Sequence, residues 1–339
     1  MSVNVAVVGA TGAVGDLIRK VLAERAFPVK TIKFLASEKS AGKTVEFNGK
    51  PYPVELIRAE AFAGVQIVLS STPAGVSKEF SPIAAAAGAI VVDNSSAWRM
   101  DPDCPLVVPE VNGEQLHHIK KGIVANPNCV AIPLCVALKP LHDLARVRRI
   151  IVATYQSSSG KGAKGLLDFD AQSKAWAAGL PVPAPTAHKG QLAGNVLTLD
   201  WTLDPNGYTE EENKVINETR KIFGDQTIGV NPTCVRVPVR VAHSEAITVE
   251  FERPIRVADA KAALANAPGV VLMDETKGEF PQPLHAEGSD HTFVGRVRQD
   301  PSNPNALSLW VVADNLRKGA ASNAVQCAEE LVRRGIVQS

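Results

Sequence analysis

Cys129 is the side chain whose setting most clearly suggests chemistry. It follows Asn126-Pro127-Asn128 and stands directly before an apolar run, residues 130–138, that predicts a helix. The dipole and the unpaired N–H groups of a helix N-terminus favour a thiolate, so we expect the pKa of Cys129 to lie below the usual value of about 8.5. Asn128 is a favourable N-cap residue for such a helix. The alternative is a small buried apolar side chain, as most free cysteines are, so a catalytic thiol needs supporting residues elsewhere.

Three polar side chains in the middle of the chain could support the thiol. Gln156 follows a strand predicted over residues 147–155, where it could orient a carbonyl group or simply lie on the surface. Glu211 and Lys214 are three residues apart in a helix predicted over residues 209–223, so they share one face of it. They form either a surface ion pair worth under about 1 kcal/mol or part of a binding site.

An Arg and a His stand close together further along the chain. Residues 235–241 alternate as a strand would, with Arg236, Pro238 and Arg240 on one face, and His243 follows that strand. A lone histidine is usually structural, but one beside a reactive thiol and an oriented arginine can do acid–base work. The remaining histidines have no such setting and are expected to be structural: His117, His118, His142, His188, His285 and His291. No spacing such as HExxH or paired CxxC occurs, so we predict no metal site.

A glycine-rich turn near the N-terminus predicts a dinucleotide site. It joins a strand predicted over residues 3–8 to a helix predicted over residues 13–25. Glycines in this GxxGxxG pattern allow a tight turn and a close approach of the backbone to a pyrophosphate at the helix N-terminus. The residues expected to bind it are Gly9, Thr11, Gly12, Ala13, Val14 and Gly15.

The end of the second predicted strand indicates which dinucleotide is bound. An NAD enzyme usually has an acidic residue there for the ribose hydroxyl. This chain offers Ser37, Lys39 and Ser40, whose hydroxyls and positive charge suit a 2′-phosphate, so we predict NADP. Glu38 is the discordant residue. The later Gly-Lys-Thr resembles the end of a P-loop, but Ser37 stands where that motif needs Gly, which excludes an ATPase.

The order of predicted elements indicates two domains. Strands and helices alternate up to Cys129, which is typical of a doubly wound parallel sheet, whereas longer β-branched strands dominate afterwards and predict a mixed sheet. The fold class is therefore α/β, a Rossmann-type doubly wound domain followed by an α+β domain with a mixed sheet. We expect the NADP domain to comprise residues 1–128 with a returning C-terminal helix from about 315 to 339, and the catalytic domain residues 129–314.

Composition narrows the class of protein. The 339 residues carry a formal net charge of +1, which argues against a nucleic-acid binder. No apolar run approaches the roughly 20 residues of a membrane span, and the N-terminus lacks the basic region of a signal peptide. The five cysteines are scattered and odd in number, which is typical of reduced thiols. We therefore expect a cytoplasmic protein.

The motifs together resemble the aspartate-β-semialdehyde dehydrogenase family. They cover nearly the whole chain in that family's order, with Lys39 where Arg is frequent and Ala242 where Gly is frequent. The segments that carry the resemblance are residues 9–15, 37–42, 95–99, 126–130, 155–160, 211–214, 236–243 and 314–326. The resemblance implies NADPH-dependent conversion of L-β-aspartyl phosphate to L-aspartate-β-semialdehyde, reversibly, in lysine, threonine, methionine and isoleucine biosynthesis. It also implies a homodimer or homotetramer.

The resemblance assigns a role to each site residue. Cys129 is the nucleophile that forms a thioester, His243 the acid–base group, and Gln156 the residue that orients the acyl group. The substrate-binding residues are Arg236 for the α-carboxylate, Glu211 for the ammonium, Lys214 and Arg99 for phosphate, and Asn128. Besides the glycine-rich turn and the residues after the second strand, the cofactor-binding residues are Thr72, Ser159, Gly160 and Asn323.

Two alternatives stay open at this point. One is an acyl-phosphate reductase of the N-acetyl-γ-glutamyl-phosphate type, which shares the thioester chemistry on another substrate. The other is a non-catalytic dinucleotide-binding sensor, which would have no use for Cys129, Arg236 and His243.

Overall fold

The chain forms two compact units. The structure is a computed structural model that describes residues 2–337. Residues up to Pro127 and those from Ala320 onward make the first unit, and Asn128–Gly319 makes the second. No helix within residues 2–337 combines the length and the apolar character needed to cross a bilayer.

The first unit is a doubly wound sheet. Its seven strands lie in the order β3-β4-β2-β1-β5-β6-β7, all parallel except for the β3–β4 hairpin. The elements are β1 (Val3–Val8), α1 (Ala13–Glu24), β2 (Val29–Ala36), β3 (Thr44–Phe47), β4 (Lys50–Leu56), β5 (Ile67–Ser70), α2 (Ala74–Ala86), β6 (Ile90–Asp93), α3 (Pro109–Asn112), β7 (Ile123–Ala125) and, at the C-terminal end, α9 (Ser322–Arg333).

The two ends of the chain share one hydrophobic core in this unit. Helix α1 buries Ile18, Val21 and Leu22, the spacing of one helix face, and α9 buries Val325 and Leu331 in the same cluster. The hairpin between β3 and β4 turns at Asn48-Gly49. Both residues have positive φ angles, 49° and 72°, as a two-residue type I′ turn requires.

The second unit contains a mixed sheet with helices on one face. Its six strands lie in the order β11-β12-β13-β10-β8-β9; β8 is parallel to β9 and β11 to β12, and the other pairs are antiparallel. The elements are α4 (Ala131–Leu144), β8 (Val147–Gln156), α5 (Gly162–Ala177), α6 (Glu210–Phe223), β9 (Gly229–Arg236), β10 (His243–Phe251), α7 (Val257–Ala265), β11 (Val270–Leu272), α8 (Pro283–Ala286), β12 (Thr292–Gln299) and β13 (Ala306–Ala313). The predicted fold class, a Rossmann-type sheet plus a mixed-sheet domain, is confirmed.

The register of this sheet brings several predicted site residues to one end. Gln156 and Arg236 are direct partners at the ends of the parallel strands β8 and β9. Strand β10 runs the other way and begins there with His243, which pairs with Ala313, the last residue of β13. The polar residues at these strand ends are therefore neighbours although they are far apart in sequence.

The strand predicted over residues 235–241 is wrong. Strand β9 ends at Arg236 because its partner β8 ends at Gln156, so the following residues have no strand to pair with. The predicted shared face of Arg236, Pro238 and Arg240 is therefore absent: Arg236 is buried, and Arg240 is exposed in an ion pair with Asp170. His243 begins the next strand instead of following one.

Several other helices and strands differ from the sequence-based prediction for local reasons. Helix α4 continues to Leu144, past the predicted end at residue 138. Strands β7 and β11 have three residues each, too few to show periodicity. Strand β12 was not predicted because a bulge near Gly295 and Arg296, the latter with φ 58°, breaks the alternation.

Glu245 is an acidic side chain buried in the middle of β10. It is 1% exposed, and neither carboxyl oxygen has a hydrogen-bond partner among the described residues. Burial raises the pKa of Glu245 well above its usual value, so the group stays protonated in the folded chain. In the unfolded chain it ionises above about pH 4.5, so its contribution lowers stability as the pH rises from there toward the folded pKa.

We therefore predict that Glu245→Gln makes the protein more resistant to alkaline conditions. The amide keeps the shape of the protonated acid but cannot ionise in the unfolded chain. Its stability advantage over the parent should be small near pH 4.5 and should grow by up to about 1.4 kcal/mol per pH unit above it. Urea unfolding at a series of pH values measures this difference.

Glu250→Gln on the same strand is the matched control. Glu250 is partly exposed and pairs with Arg149 at 3.3 Å, so its substitution should give no growing advantage with pH. If the stability of Glu245→Gln and that of the parent changed in parallel with pH, Glu245 would not be a buried, protonated carboxyl group.

Candidate active site

Cys129 lies in the turn that leads into α4. The Asn128 carbonyl accepts a hydrogen bond from Ile132 N at 3.1 Å, and its side-chain Oδ1 accepts one from Val130 N at 2.8 Å. Asn128 thus satisfies backbone groups in the turn before α4, but the N-cap residue of this helix is Val130, so the predicted N-cap position is wrong by two residues. Cys129 is partly exposed, whereas the other four cysteines are buried. The lowered pKa of its thiol stays a prediction.

The backbone of Gly319 packs directly on Cys129. A Cβ atom at position 319 would lie 3.0 Å from the Cys129 Cβ and 3.2 Å from its Cα. A larger residue there would therefore push against the nucleophile candidate, so this glycine is required by close approach.

Glu211 holds two side-chain amides of the predicted site. Its Oε1 accepts hydrogen bonds from Asn128 Nδ2 and from Gln156 Nε2, each at 3.0 Å. Burial by itself would raise the pKa of Glu211, but the Lys214 charge, these two amides and Arg236 hold it below its usual value. Glu211 is therefore a buried carboxylate, 5% exposed, and not half of a surface ion pair.

Lys214 and Glu218 extend this arrangement along α6. The Lys214 Nζ lies 3.6 Å from Glu211 Oε2 and also pairs with Glu210. The backbone N–H of Asn128 donates to Glu218 Oε2 at 2.6 Å. Glu218 was missed in the sequence analysis, although its position seven residues after Glu211 places both on one face of the helix.

His243 is held in one tautomer. Its Nδ1 accepts a hydrogen bond from the Ser157 backbone N–H at 3.0 Å, so we assign the proton of the neutral ring to Nε2. Nε2 is buried and has no partner within residues 2–337. Burial and then the charge of Arg236 lower the pKa of His243 well below 6.5, against a smaller raising effect of the Ala242 backbone. The ring is therefore neutral at pH 7 and offers one N–H.

Asn315 fixes the loops around this histidine and was also missed. Its Oδ1 accepts hydrogen bonds from Ala242 N, Ser157 Oγ and Ser159 Oγ at 3.0, 3.1 and 2.9 Å. Ala242 has φ 70°, a left-handed conformation that favours glycine. This accounts for the frequency of Gly at this position, and Ala242 adopts the same conformation at the cost of backbone strain.

Arg236 is buried beside His243. Its Nη1 donates to the Ser157 carbonyl at 2.6 Å and its Nε to Asp200 Oδ2 at 2.9 Å. A Cβ at Gly160 would lie 2.9 Å from Arg236 Nη1 and 3.4 Å from the His243 ring, so only glycine leaves room there.

The glycine-rich turn has the geometry of a dinucleotide site. Gly9 has φ 80°, and a Cβ there would meet the Ser71 carbonyl oxygen at 2.1 Å. A Cβ at Gly15 would meet the Gly9 carbonyl oxygen at 2.2 Å. Helix α1 begins at Ala13 with Gly12 as an N-cap that carries no capping side chain, so its first N–H groups can bind an anion.

Two other predicted cofactor residues of the first unit, Ser40 and Thr72, lie next to this turn. Thr11 Oγ1 donates to Ser40 Oγ at 3.1 Å, which links the turn to the segment after β2. Ser37 and Lys39 are exposed in that segment, and so is Glu38. The methyl carbon of Thr72 lies 3.3 Å from where a Cβ of Gly9 would be.

Two predicted residues of the first unit, Arg99 and Asn323, donate hydrogen bonds to groups of the protein. Arg99 donates from Nε to the Ser95 carbonyl at 3.1 Å and from Nη2 to the Asn94 carbonyl at 2.8 Å. Asn323 is fully buried, and its Nδ2 donates to Asn126 Oδ1 at 2.7 Å and to the Val107 carbonyl at 2.9 Å.

The second unit brings together nine predicted site residues: Asn128, Cys129, Gln156, Ser159, Gly160, Glu211, Lys214, Arg236 and His243.

Two family models match the chain. Residues 4–119 match "Semialdehyde dehydrogenase, NAD binding domain", and residues 138–318 match "Semialdehyde dehydrogenase, dimerisation domain". The first indicates a nicotinamide dinucleotide cofactor, and the matched residues include the glycine-rich turn.

Individual relatives agree with the family models over the full length. The chain is 50% identical to an aspartate-semialdehyde dehydrogenase of Aquifex aeolicus over 340 residues, which is 99% of this chain and 100% of the relative. It is 48% identical to one of Synechocystis, with 98% of each chain covered. The crystal structure of aspartate semialdehyde dehydrogenase II from Vibrio cholerae superposes with a TM-score of 0.95 at 46% identity, covering 98% of this chain and 99% of that one.

These matches confirm the resemblance seen in the motifs. A full-length identity near 50% is shared with several oxidoreductases of the same activity. The chain therefore belongs to the aspartate-semialdehyde dehydrogenase family and is an enzyme of that family.

Proposed function

We propose that the chain catalyses the reversible, NADPH-dependent reductive dephosphorylation of L-β-aspartyl phosphate to L-aspartate-β-semialdehyde through a thioester on Cys129. The observation that carries this proposal is the arrangement in the second unit. A partly exposed thiol stands at a helix start beside Asn128, whose amide shares the Glu211 carboxylate with Gln156. A structure of the Vibrio cholerae enzyme is described as complexed with ASA.

The thiolate of Cys129 attacks the acyl carbon, a C–S bond forms, and the C–O bond to phosphate breaks. The hydride that reduces the thioester would come from NADPH when it is bound. Covalent catalysis divides one difficult displacement into two easier steps. Gln156, held by Glu211, orients the acyl group. When the C–S bond breaks again, the aldehyde leaves and Cys129 recovers its thiolate.

His243 acts on the substrate oxygen through Nε2–H. Because the ring is neutral and Nδ1 is held by Ser157, Nε2–H is the group available to donate toward the oxygen that gains negative charge during reduction. A neutral imidazole donor needs no prior protonation, so this step is insensitive to pH near neutrality.

The charged residues support an amino-acid substrate. Arg236 is proposed for the α-carboxylate and Glu211 for the ammonium, since the latter is a buried carboxylate beside the site. Lys214 and Arg99 are proposed for phosphate. An N-acetylated substrate would bring no ammonium to Glu211, which favours aspartyl phosphate over the N-acetylglutamyl alternative.

NADP is the proposed cofactor. Ser37, Lys39 and Ser40 follow β2 with hydroxyls and positive charge for a 2′-phosphate, and Thr11 is bonded to Ser40. An apolar recess beside Ser37, lined partly by Phe62 and Phe80, is suited to an adenine ring. Thr72, Ser159, Gly160 and Asn323 complete the proposed cofactor residues.

The direct test is NADP reduction that requires both aspartate semialdehyde and phosphate. We expect Cys129→Ala to lower this rate by more than about 10⁴-fold, because the nucleophile is lost, while NADPH binding measured by fluorescence is unchanged. Cys104→Ala is the matched control, since that thiol is fully buried in the first unit, and it should keep the activity.

Thiol labelling tests the same residue without turnover. Iodoacetamide should modify Cys129 first in the native protein, and aspartate semialdehyde should slow that reaction; peptide mass spectrometry identifies the site. Turnover by Cys129→Ala, or first labelling of one of the four buried cysteines, would exclude the covalent route.

We also propose that two copies associate through the open face of the mixed sheet. The helices α4, α6 and α7 contribute to the core on one side of it, whereas Ile151, Tyr155 and Trp310 lie on the other. Tyr155 and Trp310 contact each other with ring centroids 5.2 Å apart, and Phe280 of a nearby loop is 50% exposed. An exposed apolar face of this kind is typical of an interface, and it lies within the matched dimerisation domain.

We predict that Trp310→Glu weakens this association. A charge at the centre of an apolar interface is costly to desolvate, so light scattering should show the mass falling from a multiple of 35.9 kDa toward that of one chain. Leu203→Glu, at another exposed apolar residue, should keep the parent mass. An unchanged mass for Trp310→Glu would place the interface elsewhere.

A further inference from the structure

The long connection between α5 and α6 contacts both the backbone and the side chain of Arg236. This connecting segment, residues 178–209, has no helix and only isolated β-bridges. One bridge joins Leu197 to Arg236, with backbone hydrogen bonds of 2.9 and 2.8 Å in the two directions. The segment therefore holds the backbone of Arg236 as well as contacting its side chain.

Asp200 of this segment is the ionic partner of Arg236. Its Oδ2 accepts from Arg236 Nε at 2.9 Å and contacts His188 Nδ1 at 3.0 Å, and its Oδ1 accepts from Lys189 N at 2.9 Å. Burial alone would raise the pKa of Asp200, but His188, the Lys189 N–H and Arg236 hold it well below its usual value. Asp200 is therefore charged and, at 0% exposure, shielded from water. His188 is in turn held by Ser158 Oγ at 2.7 Å.

Trp201, the next residue, covers the face of the guanidinium. Its ring centroid lies 4.6 Å from Arg236 Cζ, a cation–π contact. The Ser157 carbonyl takes one Nη1 hydrogen at 2.6 Å. Asp200, Trp201 and Ser157 thus contact three different parts of one guanidinium, which has little freedom to rotate.

The arrangement leaves one edge of Arg236 for a ligand. Because Asp200 occupies Nε, a carboxylate cannot bind the Nε edge side-on. The donors not used by residues 2–337 are on Nη1 and Nη2, so a carboxylate fork must be met end-on by these two nitrogens. A buried ion pair is a poor source of stability, which favours a role in orienting the arginine.

We propose that Asp200 and Trp201 are positioning residues that make Arg236 specific for the α-carboxylate of the substrate. This rests on the proposed function of Arg236. The two residues touch the arginine and not the substrate, and they act by fixing the direction of its Nη pair.

The test compares Asp200→Asn with the parent in the phosphate-dependent assay. The amide keeps the size of Asp200 but removes its charge, so we expect the KM for aspartate semialdehyde to rise about 10- to 100-fold. The KM values for phosphate and NADP should be unchanged. 3-Aminopropanal, which lacks the carboxylate, is the control substrate. A general structural defect would lower its kcat/KM, whereas the loss of arginine positioning should leave its kcat/KM the same in both proteins.

Asp170→Asn is the matched control. Asp170 pairs with Arg240 at 3.1 Å in the same unit, but both side chains are about half exposed, and no KM should change. If Asp200→Asn does not fold, as judged by circular dichroism, Trp201→Phe keeps an aromatic ring of smaller size and should show a smaller rise in the same KM only.

Arg236→Lys separates the two proposals. If it leaves the KM for aspartate semialdehyde unchanged, the proposed role of Arg236 itself fails. If it raises that KM while folded Asp200→Asn, or Trp201→Phe in its place, does not, only the positioning role is overturned. An equal loss of kcat/KM for 3-aminopropanal and aspartate semialdehyde would also overturn it, because the effect would then not depend on the carboxylate.

Discussion

The hydrogen bonds accepted by the Glu211 carboxylate are the interaction on which the arrangement of the site residues in the second unit depends. One oxygen accepts the amides of Asn128 and Gln156, and so ties the turn before α4 to the end of β8. A buried carboxylate is tolerated only when hydrogen bonds and nearby positive charge replace its hydration. Here the amides and Lys214 do so, and the same bonds fix the side chain next to Cys129 and the one proposed to orient the acyl group.

Burial sets the protonation states around this carboxylate in opposite directions. Glu211 stays charged because it has hydrogen-bond donors, whereas Glu245, buried in β10 with no hydrogen-bond partner among residues 2–337, stays protonated. His243 is neutral because it is buried near the Arg236 charge. Arg236 keeps its charge compensated by Asp200. The site thus combines a buried carboxylate, a neutral imidazole and a paired guanidinium, which are the groups that the proposed thioester mechanism uses.

Much of the fold could be predicted because short local sequence patterns specify individual strands and turns. Strand β1 begins and ends as predicted, since it is an apolar run bounded by Gly9. The Asn48-Gly49 turn is likewise encoded locally, because these two residue types favour positive φ angles. The failures are non-local. Strand β9 ends where its partner β8 ends. The bulge in β12 interrupts the alternation of buried and exposed residues. Strands β7 and β11 have only three residues each and are defined by their pairing with β6 and β12.

The sequence by itself determined the family, the two kinds of sheet and the residue types on which the proposed thioester chemistry depends, because glycine spacing and motif order are local and specific. The tertiary structure alone decided how those residues are held. Asn315, Asp200 and Trp201 contact site residues that are distant in the chain, and no local sequence pattern identifies them, whereas Glu218 had only its helical spacing from Glu211 as a signal. The physical reason is that protonation state, tautomer and side-chain direction depend on burial and on hydrogen-bond partners, which are known only once the chain has folded.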